Sequence, residues 1–310
     1  MSEKVIVKDK PSDILYIKPK RRIKPSRIIG MLFVIGLGMV MVYPLIWMFM
    51  SSFKETHTIL ATANSLWPET WTWENYAIGW QGFARSTFGT FFKNSFIIAG
   101  VSTVGTLMSC SLVAYSFSRG MYRGRKLLFV LMLGTLMLPA NVLMVPQFIW
   151  FRQLDLIFEG VSWINWMGTH LPLIVPSFFA VGGFFIYLMT NFMNGIPKEL
   201  DEAAKIDGCS FYGIFGRIIL PLSVPTLITA AIFNFMWRWD DFMGPLIYLR
   251  NPATYPASLA LRGFTDAQTS ATPFGPIFAM SVLSLLPLFL IFFLLQRYLV
   301  EGISTTGLKG

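Results

Sequence analysis

Side chains able to do chemistry are scarce in this sequence and fall into two groups. The first is the run PKELDEAAKIDG at residues 197–208, where Glu199, Asp201, Glu202 and Asp207 are set with Lys198 and Lys205 around Leu200, Ala203 and Ala204. The second is Arg238 with Asp240 and Asp241, flanked by Trp237, Trp239 and Phe242. Neither group is arranged for making or breaking bonds. No H-E-x-x-H occurs, and His57 and His170 have no nucleophile beside them in the sequence. A G-x4-G-K-[ST] loop, which cradling of nucleotide phosphates requires, is absent. Cys110 and Cys209 are read as reduced thiols, one within a span and one in a loop of a reducing compartment. Charge at these two places therefore points to contact and passage rather than catalysis.

The elements that hold these groups are set by composition. With 54% hydrophobic residues, 13% charged, 29 phenylalanines in 310 residues and a mean hydropathy of +0.58, the chain is more apolar than a soluble core requires. It reads as an all-α membrane protein. A hydrocarbon core about 30 Å thick needs roughly 20 apolar residues in helix, and six stretches qualify, near residues 28–50, 91–117, 127–150, 171–192, 222–249 and 276–298. The first follows a basic stretch, but it is too long for a secretory signal and no small-x-small cleavage site follows it, so it is expected to remain as a span.

Six spans place both termini on one side, and Lys and Arg indicate which. Nine lie in the tail before residue 28. Arg119, Arg123, Arg125, Lys126, Lys198, Lys205, Arg217, Arg297 and Lys309 lie on the same side, giving eighteen. The opposite side carries six: Lys54, Arg85, Lys93, Arg152, Arg250 and Arg262. Both termini are thus expected in the cytosol. The ten tryptophans fall in outer loops or outer halves of spans, either as an interfacial belt or as an outer mouth suited to a ring-shaped ligand. The net charge of +9 comes largely from the N-terminal tail and needs the lipid bilayer, not nucleic acid, as its partner.

The run at 197–208 lies after the fourth span and so on the cytosolic side. Pro197 suits a first helical position, Glu199, Asp201 and Glu202 complement the positive end of the dipole, and Gly208 is placed to stop the helix in the left-handed conformation. Ser210 is placed to cap a second helix, FYGIFGRII, with Phe211, Phe215 and Ile218 on one face and Pro221 restraining its end. Two helices with a sharp bend make a compact knob, whereas a plain connector needs neither the small residues nor the bend.

The spacing is Glu202-Ala203-Ala204, three residues, Gly208, nine residues, Ile218-x-Leu220-Pro221. It resembles the EAA loop of permease subunits in binding-protein-dependent ABC importers, all seven defining positions matching. The resemblance runs from about Phe91 to the C-terminus and is nearest the MalG-like branch of sugar importers. LMLPANVLMVPQF, WRWDDFMGPLIYL and the ending QRYLVEGISTTGLKG support it. Asp240 departs from the pattern, since the family often has Asn or another small polar residue there.

The resemblance implies a MetI-like ABC importer permease fold in a bacterial or archaeal cytoplasmic membrane. The implied organisation is a basic tail (1–27), a first helix and external segment (28–90), a permease core (91–300) with its coupling loop at 197–221, and a C-terminal tail (301–310). It implies a non-catalytic subunit that binds no cofactor, ATP and Mg²⁺ sitting on the partner ATPases. Its partners would be a second homologous permease, two ABC ATPases and an extracytoplasmic sugar-binding protein. Glu202, Ala203, Ala204, Asp207, Gly208, Leu220 and Pro221 would form the ATPase-coupling element, with Glu202 facing a basic group and the two alanines letting backbones approach. Residues 302–310 would also reach the ATPase pair.

Three readings remain open for Trp237, Arg238, Trp239, Asp240 and Asp241: an ion pair locking the span to its partner subunit, a polar wall of the sugar pathway with tryptophan on pyranose faces, or an interfacial anchor. Arg238 is expected to be matched by its neighbouring aspartates. The stretch 250–275 is expected to protrude toward the binding protein, with 51–90 as a second docking surface. Prolines and glycines inside spans are expected to kink helices about a translocation path. An oligosaccharide is the expected cargo, with a non-sugar solute such as a glycerophosphate as the alternative. An ion-coupled secondary transporter is disfavoured because spans 1 to 4 and 6 hold no acid.

Overall fold

The computed structural model describes residues 25–158, 165–266 and 274–307. The chain divides into two units, Met1–Met48 and Phe49–Gly310. The helices in order are α1 (Pro25–Ser51), α2 (Glu74–Gln81), α3 (Phe88–Arg119), α4 (Arg125–Leu136), α5 (Ala140–Ile157), α6 (Leu171–Ile174), α7 (Gly183–Asn194), α8 (Glu199–Ile206), α9 (Phe211–Ile214), α10 (Leu220–Leu222), α11 (Val224–Trp239), α12 (Met243–Tyr248), α13 (Ala257–Asp266) and α14 (Phe274–Gly307). Four stretches are long and apolar enough to cross a membrane, and two bent pairs bring the number to six.

In the first unit, α1 exposes its apolar side chains on all faces, as a helix solvated by lipid does. In the second unit α3 is the central element, packed against α7, α11 and the 3-10 turn Val175–Phe179. At 32 residues it is about 48 Å long. Its buried face is rich in small and hydroxylated residues, including Ser95, Ala99, Ser102, Thr103, Gly105, Thr106, Ser111 and Ala114, which let helices approach closely where hydrophobic contrast with lipid is lost. A Cβ on Gly105 would stand 2.7 Å from the Phe178 ring. Thr103 donates to Asn234 Oδ1 at 3.1 Å, and Asn234 Nδ2 donates to Thr106 Oγ1 at 3.2 Å, so α3 and α11 are joined by buried, satisfied polar groups.

Three expected spans are not continuous helices. The third divides at Met137–Pro139 into α4 and α5, which meet at 103°. Pro139 removes a donor and drives the residue before it out of helix. The fourth breaks between the 3-10 turn and α7, where Ala180 has φ +54°. The fifth, read as 222–249, bends by 75° ahead of Val224, ends as α11 at Trp239, and resumes as α12.

The stretch 250–275 also differs from its expectation. Asn94 Nδ2 donates to the carbonyls of Ala253 and Tyr255 at 2.9 and 3.0 Å, and Ser95 Oγ accepts from Ala257 N at 2.8 Å. α13 then buries Ala257, Leu259, Ala260 and Phe264. Residues 252–266 are thus folded onto the core, 274–275 open α14, and 267–273 lie outside the described residues.

Residues 51–75 form a polar knot. Asn75 Nδ2 donates to the carbonyls of Ser52 and Lys54 at 2.8 and 2.6 Å and its Oδ1 accepts from Thr56. Lys54 Nζ donates to the carbonyls of Thr62 and Ser65 at 3.0 and 2.6 Å. Burial holds the Lys54 ammonium below the usual lysine range, against the pull of Glu69. Beside this knot Phe53 sits among the rings of Phe49, Trp71, Trp73 and Tyr76.

Candidate functional site

The bent loop after α7 follows local rules at its far end and long-range contacts at its near end. α8 begins at Glu199, with Lys198 at the N-cap, so Pro197 lies one residue ahead of the cap and not at the first helical position. Glu199, Asp201 and Glu202 occupy the first turn and complement the helix dipole. At the other end Gly208 adopts φ +81°. Its N–H bonds the Lys205 carbonyl at 3.0 Å and Cys209 N–H bonds that of Ala204 at 2.9 Å, the pair of bonds that closes a helix through a left-handed residue. Ser210 caps the next helix, its Oγ accepting from Gly213 N at 3.2 Å. A π-helical segment, Phe215–Ile219, then leads through Leu220 and Pro221 to the bend ahead of α11.

α8 has two edges of different character. Asp201 and Ala204 are buried, whereas Glu202, Ala203, Lys205, Ile206 and Asp207 are exposed, Ile206 to 87%. Ala204 therefore seats α8 on the chain's own core, beside Ile196 and Ile214, rather than lying on the outer edge with Ala203. The seat is built by the last two turns of α3. Tyr115 donates to the Phe211 carbonyl at 3.0 Å and packs its ring 4.5 and 5.0 Å from Phe211 and Phe215. Arg119 Nε pairs with Asp201 Oδ2 at 2.5 Å, both side chains being under 10% exposed. Its Nη2 donates to the Ile196 carbonyl at 2.8 Å. Ser118 Oγ donates to Asn194 Oδ1 at 2.9 Å. Beside this seat Arg125, Lys198 and Glu202 help line a cleft of about 120 Å³.

Sequence reasoning singled out neither Tyr115, Arg119 nor Asp201 as site residues. The available signal was an arginine closing the second span and an acid directly before Glu202, but 82 positions separate the pair and no local rule joins them.

The span-5 group is not one cluster. Trp239 is 4% exposed, stacked on Phe235, packed edge-on to Phe96, and donates Nε1–H to the Ser284 carbonyl at 3.0 Å. It ties α11 to α3 and α14 and offers no open face to a sugar. Trp237 is 52% exposed and packs with Phe184, Phe185 and Phe233. Arg238 donates to Ser177 Oγ at 3.3 Å, in the 3-10 turn of the broken fourth span. It makes no close ion pair with Asp240 or Asp241, although the Asp241 charge still acts on it, so the expected match is by charge at a distance and not by contact. Asp241 instead accepts from Gly244 N at 3.0 Å and so turns the chain into α12, while Asp240 is exposed.

Residues 110–305 match the family described as binding-protein-dependent transport system inner membrane component. The chain belongs to this family. The permease is 36% identical, over 86% of its length and 84% of the relative's, to the probable ABC transporter permease protein YurM of Bacillus subtilis. It is 31% identical to the arabinooligosaccharides transport system permease protein AraQ of Halalkalibacterium halodurans, covering 93% of this chain and 99% of that one. It is likewise 31% identical to the trehalose/maltose transport system permease protein MalG of Thermococcus litoralis, over 92% and 98%. Its fold matches a chain of the crystal structure of a bacterial ABC transporter involved in the import of the acidic polysaccharide alginate, with a TM-score of 0.74, 22% identity, and coverage of 90% of this chain and 99% of that one. The permease is thus a multi-pass membrane transport component of the MetI-like fold.

Proposed function

We propose that this permease is one of two homologous membrane subunits of an ATP-driven importer that takes up an oligosaccharide delivered by an extracytoplasmic binding protein. The basic side faces the cytosol, and the exposed edge of α8 docks in a groove of a separate ATPase subunit. The observation that carries this reading is the two-sided character of α8: a base seated on the chain's own core and an outer edge bearing Glu202 and Ala203, closed by Gly208 at φ +81°. Such an edge presents a carboxylate beside a small residue, suited to a basic group approaching at backbone distance. Leu220 and Pro221 restrain the return of the loop, and Asp207 lies exposed beside Gly208.

ATP and Mg²⁺ would sit on the ATPase pair, this chain having no phosphate-cradling loop. Closure of that pair draws the two coupling loops together and shifts the spans between inward-open and outward-open packings. The helix α14 runs on past the sixth span to Gly307, a reach that suits contact with the same partners. The names of relatives that transport arabinooligosaccharides and trehalose/maltose support an oligosaccharide cargo. Affinity purification of the tagged permease from its native membrane is expected to bring down an ATPase and a second permease. Uptake of an oligosaccharide panel into those cells should stop when the ATPase's catalytic residue is removed. Transport by this chain without an ATPase would reject the proposal.

A further inference from the structure

We infer that Arg119 and Asp201 form the joint through which α8 moves α3, as positioning residues that make the partner-facing helix and the central span one rigid body. The inference rests on the reading of α8 as the ATPase-facing element and adds the route by which motion leaves it. Both covalent connections of α8 are poorly suited to carry a push. The entry from α7 is the non-helical stretch Gly195–Lys198. The exit passes a left-handed glycine, a π-helical segment and a 75° bend before α11 is reached. Turns and π-helical segments are where helices yield first.

The non-covalent connection is of the opposite kind. One guanidinium at the end of α3 holds Asp201 on α8 through Nε and the Ile196 carbonyl of the entry turn through Nη2, while the neighbouring Ser118 holds Asn194 at the end of α7. The Nε–Asp201 contact is an ion pair without an aligned hydrogen bond, and direction comes from Nη2 on the Ile196 carbonyl; an ammonium on a flexible stem would not supply both at once. Among the described residues Asp201 Oδ1 has no hydrogen-bond partner, so the carboxylate is held from the α3 side. One turn back, Tyr115 bonds the Phe211 carbonyl and packs on Phe211 and Phe215, so the second helix of the loop is anchored to α3 as well. A displacement of α8 therefore meets the α3 terminus before it can be absorbed in the peptide connections.

The test uses the complete transporter with its ATPases. Spin labels are placed at Lys205→Cys, which faces the chain's own cleft from α8, and Met108→Cys on α3, both exposed, in a Cys110→Ala, Cys209→Ser background. In the otherwise native complex the distance between labels is expected to be the same without nucleotide and after trapping with ATP and vanadate. In Asp201→Asn the distribution should broaden and shift on trapping, with ATP hydrolysis continuing and vectorial transport lost. Arg119→Lys, which keeps the charge but not the fork, should fall between. A native distance that changes on trapping, or an Asp201→Asn distribution as narrow as the native one, overturns the joint.

If Asp201→Asn fails to reach the membrane, Arg119→Gln/Asp201→Asn leaves no buried charge unpaired and takes its place. Loss of that variant too assigns the pair to folding and overturns the inference. Failure of the underlying reading is separately visible: a Glu202→Lys complex would then retain its ATPases and full coupling. Failure of the joint alone leaves docking sensitive to Glu202 and shows only in the label distance.

Discussion

Replacing Gly208 by alanine and then by proline separates the bend's conformational role from its hydrogen bond. The residue sits at φ +81°, and a Cβ built on it meets nothing within 4 Å, so alanine introduces no clash. Its penalty is that of an L-residue held in the left-handed region, roughly 1–2 kcal/mol. Proline is different in kind. Its ring fixes φ near −65°, and it removes the N–H that bonds the Lys205 carbonyl, a bond worth about 1 kcal/mol net. The total is roughly 3 kcal/mol or more. α8 has only 8 residues. Helices shorter than about 12 residues are marginal on their own, so a penalty of that size should unwind the last turn. The Arg119–Asp201 pair holds the first turn and should survive. Gly208→Ala is therefore expected to dock with slightly weakened coupling. Gly208→Pro is expected to accumulate in the membrane at near-native melting temperature while losing ATPase co-purification and uptake. The assay is pull-down and uptake measured on the same membranes. Native coupling in Gly208→Pro would refute the reasoning, as would a collapse in its membrane level equal to that of a core variant.

Trp239→Ala should cost about 3–5 kcal/mol, because it removes a buried indole and its hydrogen bond to the Ser284 carbonyl, whereas Trp237→Ala should leave the melting temperature near native. Thermal unfolding in detergent distinguishes them, and equal losses would contradict the different placements. Asn75→Leu leaves the Ser52 and Lys54 carbonyls without their donor and should destabilise by about 1–3 kcal/mol, read as faster proteolysis within 51–75. Lys54 has a folded pKa below its unfolded value near 10.5, so the folded state binds fewer protons between the two and stability should rise with pH over that interval. Below the folded pKa the whole penalty is present. Lys54→Met should lose that alkaline rise, and a rise of the same size in the variant would exclude Lys54 as its source.

What could be read from sequence was whatever local chemistry decides. Gly208 as a left-handed stop and Ser210 as a cap follow from the residues and their immediate neighbours, and both occur as expected. The existence of six apolar crossings follows from length and hydropathy. That prolines and glycines interrupt spans followed too, as at Pro139, but the left-handed turn at Ala180 did not, because it depends on the packing of the 3-10 turn against α3 and not on Ala180 itself. The span-5 charges show the same limit. Arg238 and Asp241, three positions apart, look like a contact pair on paper, yet one reaches Ser177 on a different span and the other folds back to cap α12. Trp239 resembled a pathway aromatic by composition, and only its three-dimensional neighbours place it in the packing. The seat of α8 was hidden for the same reason, since Tyr115 and Arg119 meet Phe211 and Asp201 only through tertiary structure.

The central claim is that the outer edge of α8 faces an ATPase. A benzophenone maleimide attached at Ala203→Cys or Ile206→Cys, in a Cys209→Ser chain whose Cys110 is buried, tests it in the complete complex. Both positions are expected to give an ATPase adduct on illumination, while the same probe at exposed Leu127→Cys on α4 gives none. No ATPase adduct from either α8 position, with one forming at Leu127→Cys, would contradict the account.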